Sequence, residues 1–477
     1  MGVSAEKYQQ SLDFLFSRLN YERMGSGKYS TSDFKLGRMQ ELLDCLGNPQ
    51  SQVRSIHIAG TKGKGSTSAM IAEMLSAAGY RTGLFTSPHI TCYEERILID
   101  GRQIEPEHLV DLVSELIPVV EQLDLQPGNM SPTFFELTTA LAWMHFHQQR
   151  VDFAVMEVGL GGRLDSTNVC EPMVSVVTNI SYDHTALLGN TIEQITREKA
   201  GIIKPGVPVF SGVTQPEAIA VLEEVSREKQ APLYLLNRDF NRVDEPHQSL
   251  NLAQTDGSRL VSAQNQQNIQ VRTPWSLIDR LPVTLLGTHQ LTNATLAVTV
   301  IDYLRQKGVM LEESQLRQGM LRLKWPARIE LVQKNPPVII DTAHNGASIE
   351  ALVETLTASF PQSNRILIFA ATKDKNVEEM LEMLLPCFQT VILTQYLSNP
   401  RRIPVEELVN LTRATQQSTG NTSQVMITES PEAAWIRAKE VLTPDSLICV
   451  TGSFFIAAEL RELLLGTTDA VLVTEPC

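Results

Sequence analysis

Residues 55–66 have the sequence SIHIAGTKGKGS, in which a short apolar run is followed directly by a loop rich in glycine and lysine. The apolar part, 55–59, predicts a buried strand, and a helical pattern runs from residue 66 to 78, where Gly79 ends it. Glycines allow several backbone N–H groups to converge on phosphate oxygens, and the N-terminus of a helix adds a partial positive charge. The segment therefore predicts a strand, a phosphate-binding loop and a helix in succession.

Lys64 is placed to neutralise the outer phosphates of a nucleotide, and a hydroxyl after it can assist a Mg²⁺ ion. The loop departs from the common GxxxxGK[ST] pattern, because the first glycine of that pattern would fall at Ile58 and Gly65 separates Lys64 from Ser66. A surface turn is the alternative interpretation, but the position between a strand and a helix argues against it. The candidate nucleotide-binding residues of the loop are Thr61, Lys62, Gly63, Lys64, Gly65 and Ser66.

The chain up to about residue 324 alternates short apolar runs with longer helical patterns. Residues 152–158 and 174–179 are continuous apolar strands, which are typical of a parallel sheet covered on both faces. This alternation predicts a doubly wound α/β domain. Residues 237–280, rich in Asn, Gln and Ser, predict an elaborated loop or a small β excursion. Further predicted elements are a strand at 82–86 and helices at 133–147, 289–306 and 312–323.

A second α/β series begins at about Arg328. Trp325-Pro326 interrupts the pattern before it, since the residue before a proline disfavours helix, and we place the hinge at 324–328. We expect a domain at 1–324 of P-loop type, with a doubly wound, mostly parallel sheet that carries the phosphate loop, and a smaller Rossmann-like α/β domain at 325–477. The predicted elements of the second domain are strands at 338–341, 366–370, 391–394, 425–428 and 447–451 and a helix at 454–465.

The composition excludes several classes of protein. The 477 residues carry a formal net charge of −14, whereas a general nucleic-acid binder needs a basic surface. The hydrophobic share of 43% excludes disorder of the whole chain. We expect a cytoplasmic protein without membrane segments, for three reasons. The six cysteines are scattered, and the first residues, MGVSAEKYQQ, do not show the basic and then apolar order of a signal peptide. No apolar run reaches the roughly 20 residues that cross a bilayer.

Several further motifs follow the phosphate loop in order, and together they identify a family. The whole set is similar to the folylpolyglutamate synthase/dihydrofolate synthase family, relatives of the Mur cell-wall ligases, over about residues 10–465. The irregular phosphate loop is itself the form that this family has. The motifs are GTKGKGS at 60–66, TSPH at 86–89, ERI at 95–97, EVGLGGRLD at 157–165, DHT at 183–185, REKAGIIK at 197–204 and DTAHN at 341–345.

The resemblance implies an ATP-dependent, ADP-forming amide ligase. ATP phosphorylates a carboxylate, and an amino group then attacks the acyl phosphate. The implied ligands are ATP, a folate or dihydropteroate, L-glutamate and Mg²⁺ at two sites, with a monovalent cation as a further candidate, and we expect a monomer. Whether the enzyme acts on folates alone or also on dihydropteroate stays open, as do the preferred folate and the polyglutamate length.

The resemblance also assigns the metal ligands, which are Ser87, Glu157 and His184. Glu157 ends a buried strand, where a carboxylate is costly unless it is paired or metal-bound, and strand C-termini are where ligands bind in open α/β sheets. Lys199 is implied to be carbamylated, and its carbamate would supply hard oxygens to the Mg²⁺ site. A helix-capping or core histidine and a solvated lysine are the alternatives for His184 and Lys199. Lys64, His184, Lys199 and Arg328 are the candidate catalytic residues.

Other side chains are implied to bind the remaining substrates. Asn293 would contact adenine, Asp341 the ribose or phosphate side, and Arg328 the phosphates across the cleft. His344 and Ser453 would hold glutamate, although a helix cap is an alternative for Ser453. For the pteroate the implied residues are Thr133, Phe134, Phe135, Glu136, Leu164, Asp165 and Ser166, with an aromatic ring stacking on the pterin or, alternatively, both phenylalanines in the core.

Three other functions compete with the folate ligase. A small-molecule kinase could use the same phosphate loop without an amine site. A nucleotide-dependent regulatory protein without catalysis is disfavoured by the full set of candidate catalytic residues. A Mur-type peptidoglycan ligase is disfavoured by the GKGS loop and by the lack of an additional N-terminal UDP-binding domain.

Overall fold

The computed structural model describes residues 4–22, 34–127, 130–243 and 267–469. An eight-stranded sheet forms the centre of the N-terminal part. Its strands are β1 (Arg54–Ala59), β2 (Thr82–Phe85), β3 (Ile97–Ile99), β4 (Arg102–Gln103), β5 (Phe153–Glu157), β6 (Val174–Val177), β7 (Val209–Ser211) and β8 (Leu233–Leu235). The strand order is β4-β3-β2-β5-β1-β6-β7-β8, and all neighbours are parallel except β2–β3 and β3–β4.

Helices cover this sheet on both faces. They are α1 (Ala5–Phe16), α2 (Leu36–Cys45), α3 (Lys64–Ala77), α4 (Pro106–Asp124), α5 (Phe134–Gln148), α6 (Thr185–Leu188), α7 (Ile192–Ala200), α8 (Pro216–Glu228), α9 (Thr288–Gln306) and α10 (Glu313–Arg322). Alternate residues of β5 face different cores: Phe153 and Val155 pack with α3 and α9, whereas Ala154 and Met156 pack with α4 and α5. This two-sided burial explains the continuous apolar runs of the central strands and confirms the doubly wound α/β fold.

The polar stretch at 237–280 contains β structure, as one of its two interpretations predicted. Strands β9 (Asn241–Val243), β10 (Gln267–Arg272) and β11 (Leu277–Val283) form a separate antiparallel sheet in the order β11-β10-β9. Asp302 on α9 accepts hydrogen bonds from the hydroxyls of Thr273 and Ser276, at 2.5 and 2.7 Å, and so ties the β10–β11 hairpin to the main domain. Residues 244–266 of this stretch lie outside the described residues.

The C-terminal part is a second α/β unit with its own sheet. Its strands are β12 (Glu330–Lys334), β13 (Pro337–Ile340), β14 (Asn364–Phe369), β15 (Thr390–Leu393), β16 (Gln424–Ile427) and β17 (Ser446–Thr451), in the order β12-β13-β17-β14-β15-β16. Only the pairing of β12 with β13 is antiparallel among these described strands. The helices are α11 (Gly346–Ser359), α12 (Val377–Leu384), α13 (Val405–Thr419), α14 (Pro431–Glu440) and α15 (Phe454–Asp469).

The predicted strands and helices agree with the structure to within a few residues. Strands β3, β4, β7, β8 and β12 have no counterpart among the predicted elements. The first four are only two or three residues long, and β12 mixes polar with apolar residues, so none of them carries a clear periodicity. No described helix combines the length and the apolar character that crossing a bilayer requires. The two sheets fall on either side of the predicted hinge at 324–328, and the division of the chain at residue 324 stays a prediction.

Candidate active site

The phosphate loop, residues 60–66, connects β1 to α3 and is held by the segment that follows β6. The backbone N–H of Lys62 donates to Oδ1 of Asn179 at 2.8 Å, and the hydroxyl of Thr178 donates to the carbonyl of Lys62 at 2.6 Å. No side chain in the described part of the chain caps α3. The first N–H groups of this helix are therefore available to an anion.

Two positions of the loop have room only for glycine, because neighbouring side chains lie where a Cβ would be. Gly63 has φ = 79°, and a Cβ on it would lie 2.4 Å from Oδ1 of Asn293; a Cβ on Gly60 would lie 1.9 Å from Oγ1 of Thr178. Asn293, on α9, donates from Nδ2 to Oε1 of Gln290 at 3.0 Å. The structure thus packs the predicted adenine-binding residue directly on the phosphate loop.

Ser87 and Glu157 meet beside the start of α3. The carboxylate of Glu157 is only 5% exposed, and its Oε2 accepts a hydrogen bond from the backbone N–H of Ser87 at 3.2 Å. Burial raises the pKa of Glu157, while the cations Lys64 and Arg328 act in the opposite direction. A carboxylate buried here is costly without a nearby positive charge.

The chemistry of this pair fits Mg²⁺. A carboxylate and a hydroxyl are hard oxygen donors, and Mg²⁺ commonly takes one or two carboxylates together with phosphate oxygens and water. Throughout the described residues no three His, Cys, Asp or Glu side chains converge on one point. A metal ion at Ser87 and Glu157 would therefore complete its coordination with phosphate oxygens and water.

His184 lies on the other side of the phosphate loop from Glu157, since β1 separates β5 from β6 in the sheet. Its backbone is in the left-handed region, with φ = 48°, and its Nε2 is 3.8 Å from Oδ1 of Asp183. Partial burial and the nearby lysines outweigh Asp183 and lower the pKa of His184 to about 4, so the imidazole is neutral at pH 7. The described contacts include no bond between His184 and Glu157.

Asp183 joins the two domains. Its carboxylate contacts Nζ of Lys62 at 3.1 Å and Nζ of Lys375, which follows β14, at 3.6 Å. Burial alone would raise the pKa of Asp183, but the surrounding cations, Lys62 foremost, hold it well below its usual range. Asp183 is therefore a permanent anion between lysines of both domains.

Lys199, near the end of α7, is buried beneath the phosphate loop. Its side chain is 4% exposed, and Nζ donates to the carbonyl of Gly60 at 2.9 Å. Burial, followed by the nearby Lys64, lowers the pKa of Lys199 to about 7. The position excludes the alternative of a solvated surface lysine.

The linker after α10 carries Arg328 in a strained backbone. Ala327 and Ile329, on either side of it, have φ of 52° and 49°, and a β-branched residue in the left-handed region is a rare conformation. The backbone N–H of Ile329 donates to Oδ2 of Asp341 at 2.9 Å, and that of Ala343 donates to Oδ1 at 2.8 Å. Asp341 thus holds the linker in this conformation.

The guanidinium of Arg328 lies on the wall of the cleft. It donates to the hydroxyl of Thr342 and stands 5.0 Å over the ring of Phe454. Burial lowers the pKa of Arg328, and the carboxylates Asp341 and Glu157 counteract it. The arginine of one domain is therefore within electrostatic reach of Glu157 in the other.

His344 faces the phosphate loop from the C-terminal domain. Its Nδ1 is 2.8 Å from the carbonyl oxygen of Thr342, which can only accept, so Nδ1 carries the proton. Nε2 therefore presents a lone pair, and it accepts a hydrogen bond from Nζ of Lys62 at 3.2 Å. Burial is the main cause that holds the pKa of His344 well below its ordinary value, and burial also lowers the pKa of Lys62 to about 8.

Ser453 is a helix cap, as its alternative interpretation stated. It is 1% exposed, and its hydroxyl accepts from the backbone N–H of Ile456 at 3.2 Å at the start of α15. The structure therefore supplies a local reason for this serine that does not involve a substrate.

The predicted pteroate residues also have structural partners. Thr133 and Glu136 form a capping box at the start of α5, and Glu136 pairs with Arg38 at 2.8 Å. Phe134 is fully buried and stacks on Phe16 at 5.2 Å, so it is a core residue and has no free face for a pterin.

The remaining pteroate candidates lie at or near the turn after β5. Phe135 is partly buried and packs against Gly159, where a Cβ would lie 2.4 Å from its ring, and Leu164 is partly buried. Asp165 accepts from the backbone N–H of Leu160 at 2.9 Å and from Thr167, which stabilises the turn. Ser166 shares a hydrogen bond of 2.7 Å with the hydroxyl of Thr139.

A cavity of about 600 Å³ opens between the two domains. Ser87, Glu157 and Arg328 lie on its wall, together with apolar side chains such as Leu84, Leu98 and Trp325. Trp325 also packs on the first turn of α3, where a Cβ on Gly65 would lie 3.0 Å from the indole. Apolar side chains and the predicted reaction centre therefore line the same cavity.

Asp183, Lys375 and Trp325 belong to this site, although the sequence analysis did not select them. Asp183 stands directly before His184 in the DHT motif, and Lys375 closely follows the apolar strand β14. Both positions follow strand ends, which is where ligands bind in open α/β sheets. That rule could have identified both residues, whereas the contact of Trp325 depends on the linker conformation.

Comparisons with known proteins agree with this architecture. Residues 58–301 match the Mur ligase middle domain, and residues 327–454 match the glutamate ligase domain of Mur ligases. Dihydrofolate synthase/folylpolyglutamate synthase of Bacillus subtilis is 36% identical over 434 residues, which cover 90% of this chain and 94% of that protein. Folylpolyglutamate synthase of Lacticaseibacillus casei is 36% identical over 430 residues, covering 90% and 94%.

Solved structures give the same result over nearly the whole chain. Folylpolyglutamate synthase of Mycobacterium tuberculosis, complexed with ADP and AMPPCP, has a TM-score of 0.84 at 31% identity and covers 96% of this chain and 98% of its own. The Thermotoga maritima enzyme has a TM-score of 0.80 at 32% identity, with 97% of both chains covered. With sequence and fold matched along both domains, this chain belongs to the folylpolyglutamate synthase/dihydrofolate synthase family of the Mur ligase superfamily.

Proposed function

We propose that this protein is an ATP-dependent, ADP-forming amide ligase that adds L-glutamate to folates, with dihydropteroate as a second acceptor to be tested. One observation carries the proposal: the phosphate loop and Glu157 of one domain face Arg328 and His344 of the other across a single cleft. A ligase that makes an acyl phosphate and then admits an amine needs phosphate ligands and an amine site in the same cleft.

The residues of the cleft divide between the two half-reactions. Lys64 and the N–H groups of α3 would bind the phosphates of ATP, and Arg328 would neutralise charge on the transferred phosphoryl group. Asn293 and Asp341 would bind the nucleoside side. Lys375 and His344, next to Lys62, would receive the amino acid, since a lysine suits its carboxylates and the Nε2 lone pair suits its amino group.

Magnesium fits the same arrangement. We propose that Ser87 and Glu157 hold one ion, and that His184 and a carbamate on Lys199 serve a second. When bound, Mg²⁺ neutralises phosphate charge during the transfer. The neutral imidazole of His184 is in the state that a ligand needs.

The interdomain cavity is the proposed place of the folate. Its volume of about 600 Å³ suits a ligand of this size, and an end at Glu157 and Arg328 would bring the substrate carboxylate to the phosphoryl group. We propose this location in place of stacking on Phe134, which is buried in the core.

The test of this function uses purified protein with ATP, Mg²⁺ and L-[³H]glutamate, offered tetrahydrofolate and dihydropteroate separately. We expect ADP and a glutamylated product with tetrahydrofolate. The dihydropteroate reaction shows whether the enzyme is bifunctional. ADP with a phosphorylated acceptor that never takes up glutamate would establish the kinase alternative, and no turnover with either acceptor would contradict the proposal.

Replacement of Arg328 tests closure of the cleft. We expect Arg328→Ala to lower kcat by about 10²-fold, since an arginine that neutralises the transferred phosphoryl group acts chiefly in the transition state. The Kd of folate, measured by fluorescence titration, should change much less. Arg328→Lys keeps the charge but loses the planar donor, and we expect an intermediate kcat. A main effect on folate affinity would instead place Arg328 in the substrate pocket.

A further inference from the structure

A second connection between the domains lies away from the phosphate loop and involves Arg401. This residue belongs to the loop between β15 and α13 of the C-terminal domain. Its Nη1 donates to the backbone carbonyl of Glu22, in the N-terminal domain, at 2.8 Å, and its Nη2 contacts Asp374 in its own domain at 2.5 Å. Arg401 therefore joins the two domains by direct hydrogen bonds.

The pairing of Arg401 with Asp374 inside the C-terminal domain is incomplete. A bidentate pair of Arg401 with Asp374 would use both carboxylate oxygens. In the described structure, Nε of Arg401 and Oδ1 of Asp374 are buried without hydrogen-bond partners. Unpaired buried polar atoms are costly. The guanidinium thus divides its hydrogen bonds between Glu22 of one domain and Asp374 of the other.

Glu22 continues the connection toward the active site. Its two carboxylate oxygens accept from Nη1 and Nη2 of Arg96, at 2.9 and 2.6 Å, and Nε of Arg96 donates to Nδ1 of His89 at 2.7 Å. Arg96 is 1% exposed, whereas the side chain of Glu22 is 32% exposed, so only the arginine end of this bidentate pair is shielded from water. We name the set Arg401, Glu22, Arg96 and His89 the Glu22 bridge.

The Glu22 bridge ends two residues from a predicted metal ligand. His89 and Ser87 belong to the same loop, and Ser87 donates its backbone N–H to Glu157. Hydrogen bonds, linked through the side chains of Glu22 and Arg96, therefore connect the C-terminal domain to the loop that carries His89 and Ser87. The N–H of Glu22 donates to Oδ1 of Asn20 at 2.9 Å, so displacement of Arg401 would leave the Glu22 backbone held from one side only. The carboxylate that pairs with Arg96 would then be less firmly placed.

We propose that Arg401 is a positioning residue of the ligase reaction: by docking on Glu22 it makes the geometry of the Ser87 loop depend on the placement of the C-terminal domain. The inference rests on the proposed function, since it assigns the Ser87 loop to magnesium. Contiguous bonds alone do not establish coupling, so the test must measure a property of the Ser87 loop while the change is made at Arg401.

The concentration of free Mg²⁺ that gives half-maximal ligase activity, at saturating ATP, is such a property. We expect Arg401→Ala to raise it about five- to tenfold and to lower kcat, in the range of couplings between residues of one network. Arg402→Ala is the matched control, because the neighbouring arginine forms no side-chain hydrogen bond or ion pair within the described structure; we expect a change within about twofold. Thermal unfolding of each variant, followed by circular dichroism, reports on stability separately.

A double-variant cycle identifies the route. If the Glu22 bridge transmits the effect, His89→Ala alone raises the Mg²⁺ requirement. The double variant His89→Ala/Arg401→Ala then shows a smaller fold-increase than the product of the two single fold-increases. Should Arg401→Ala fail to fold, Arg401→Lys serves instead, because a lysine keeps the charge but lacks the planar fork whose two nitrogens contact Glu22 and Asp374 separately.

Each result decides between clear alternatives. An Arg401→Ala enzyme with the Mg²⁺ requirement of the control, whatever its thermal stability, would overturn the inference, and so would multiplicative effects in the cycle. Either outcome leaves the proposed ligase intact. Failure of the unsubstituted protein to glutamylate any folate would instead contradict the proposed function.

Discussion

Lys64→Ala is expected to abolish ligase turnover, with a fall in kcat of at least about a thousandfold, as the loss of a preorganised transition-state charge produces. Lys64 opens α3 at the phosphate loop and lies within electrostatic reach of Glu157. Its side chain is only partly buried, so its truncation leaves no large cavity and the fold should persist. Release of ADP and formation of glutamylated product are the measurements, with circular dichroism as the check on folding.

Lys229→Ala is the matched control, since Lys229 is an exposed lysine of the same domain at the end of α8. It should retain normal kcat. Glu157→Gln is the companion variant: its amide oxygen still accepts from Ser87, but the negative charge is lost, and we expect an equally inactive, folded enzyme. Near-normal turnover in either folded variant would contradict the assignment of these residues to phosphate and metal.

Lys199→Ala is expected to be nearly inactive, and a short-chain carboxylic acid in the medium should restore part of the activity. We propose that Lys199 reacts with CO₂ to form a carbamate, with release of one proton. Removal of the side chain then removes an anion, and the added acid can place oxygens in the vacated space. The measurement is kcat of the variant against concentrations of acetate, propionate and matched alkylamines.

The surroundings of Lys199 suit this reaction. Only the neutral amine reacts with CO₂, and a pKa of about 7 makes the neutral form roughly a thousandfold more abundant at pH 7 than in an ordinary lysine. The carbamate nitrogen keeps one proton, which can still be donated to the carbonyl of Gly60. Burial that lowers the pKa thus favours the modification.

The alternative for Lys199 is a plain ammonium that stabilises phosphate charge. This model assigns the opposite charge to the same position, so it predicts rescue by alkylamines and none by acids. Rescue by amines, or electron density for a bare lysine beside a bound metal in active enzyme, would remove the carbamate from the mechanism.

The fold could be predicted from local pattern to a large extent. The continuous apolar runs that became β1, β5 and β6 must be buried on both faces, which requires a parallel sheet between helices. The loop at 60–66 could also be placed between a strand and a helix, because an apolar run precedes it and a helical pattern follows it. Strands β3, β4, β7, β8 and β12 could not be predicted, because strands that are very short or of mixed polarity are stabilised by pairing with their neighbours in the sheet rather than by their own periodicity.

Candidate site residues could be selected from the sequence where a residue type in its local setting has few possible roles. Glycines and lysines in a strand–loop–helix indicate phosphate, and the end of a buried strand explains Glu157. The role of a side chain was ambiguous where the same residue type also commonly packs in a core or caps a helix. Phe134 and Ser453, read as substrate contacts by resemblance, are a core residue and a helix cap in the structure. Burial depends on which residues pack against a side chain, and capping depends on how the chain turns at that point. The local sequence pattern does not contain this information.

The sequence by itself determined the two α/β domains, the phosphate loop and the identity of the family, because these depend on periodicity and on short motifs that each fold locally. Only the tertiary structure decided which groups face one another. The contact of His344 with Lys62, the anion Asp183 between lysines of both domains and the docking of Arg401 on Glu22 join residues 121 to 379 positions apart. Such contacts arise from the way two separately folded sheets meet, and their energies depend on the burial that this meeting creates.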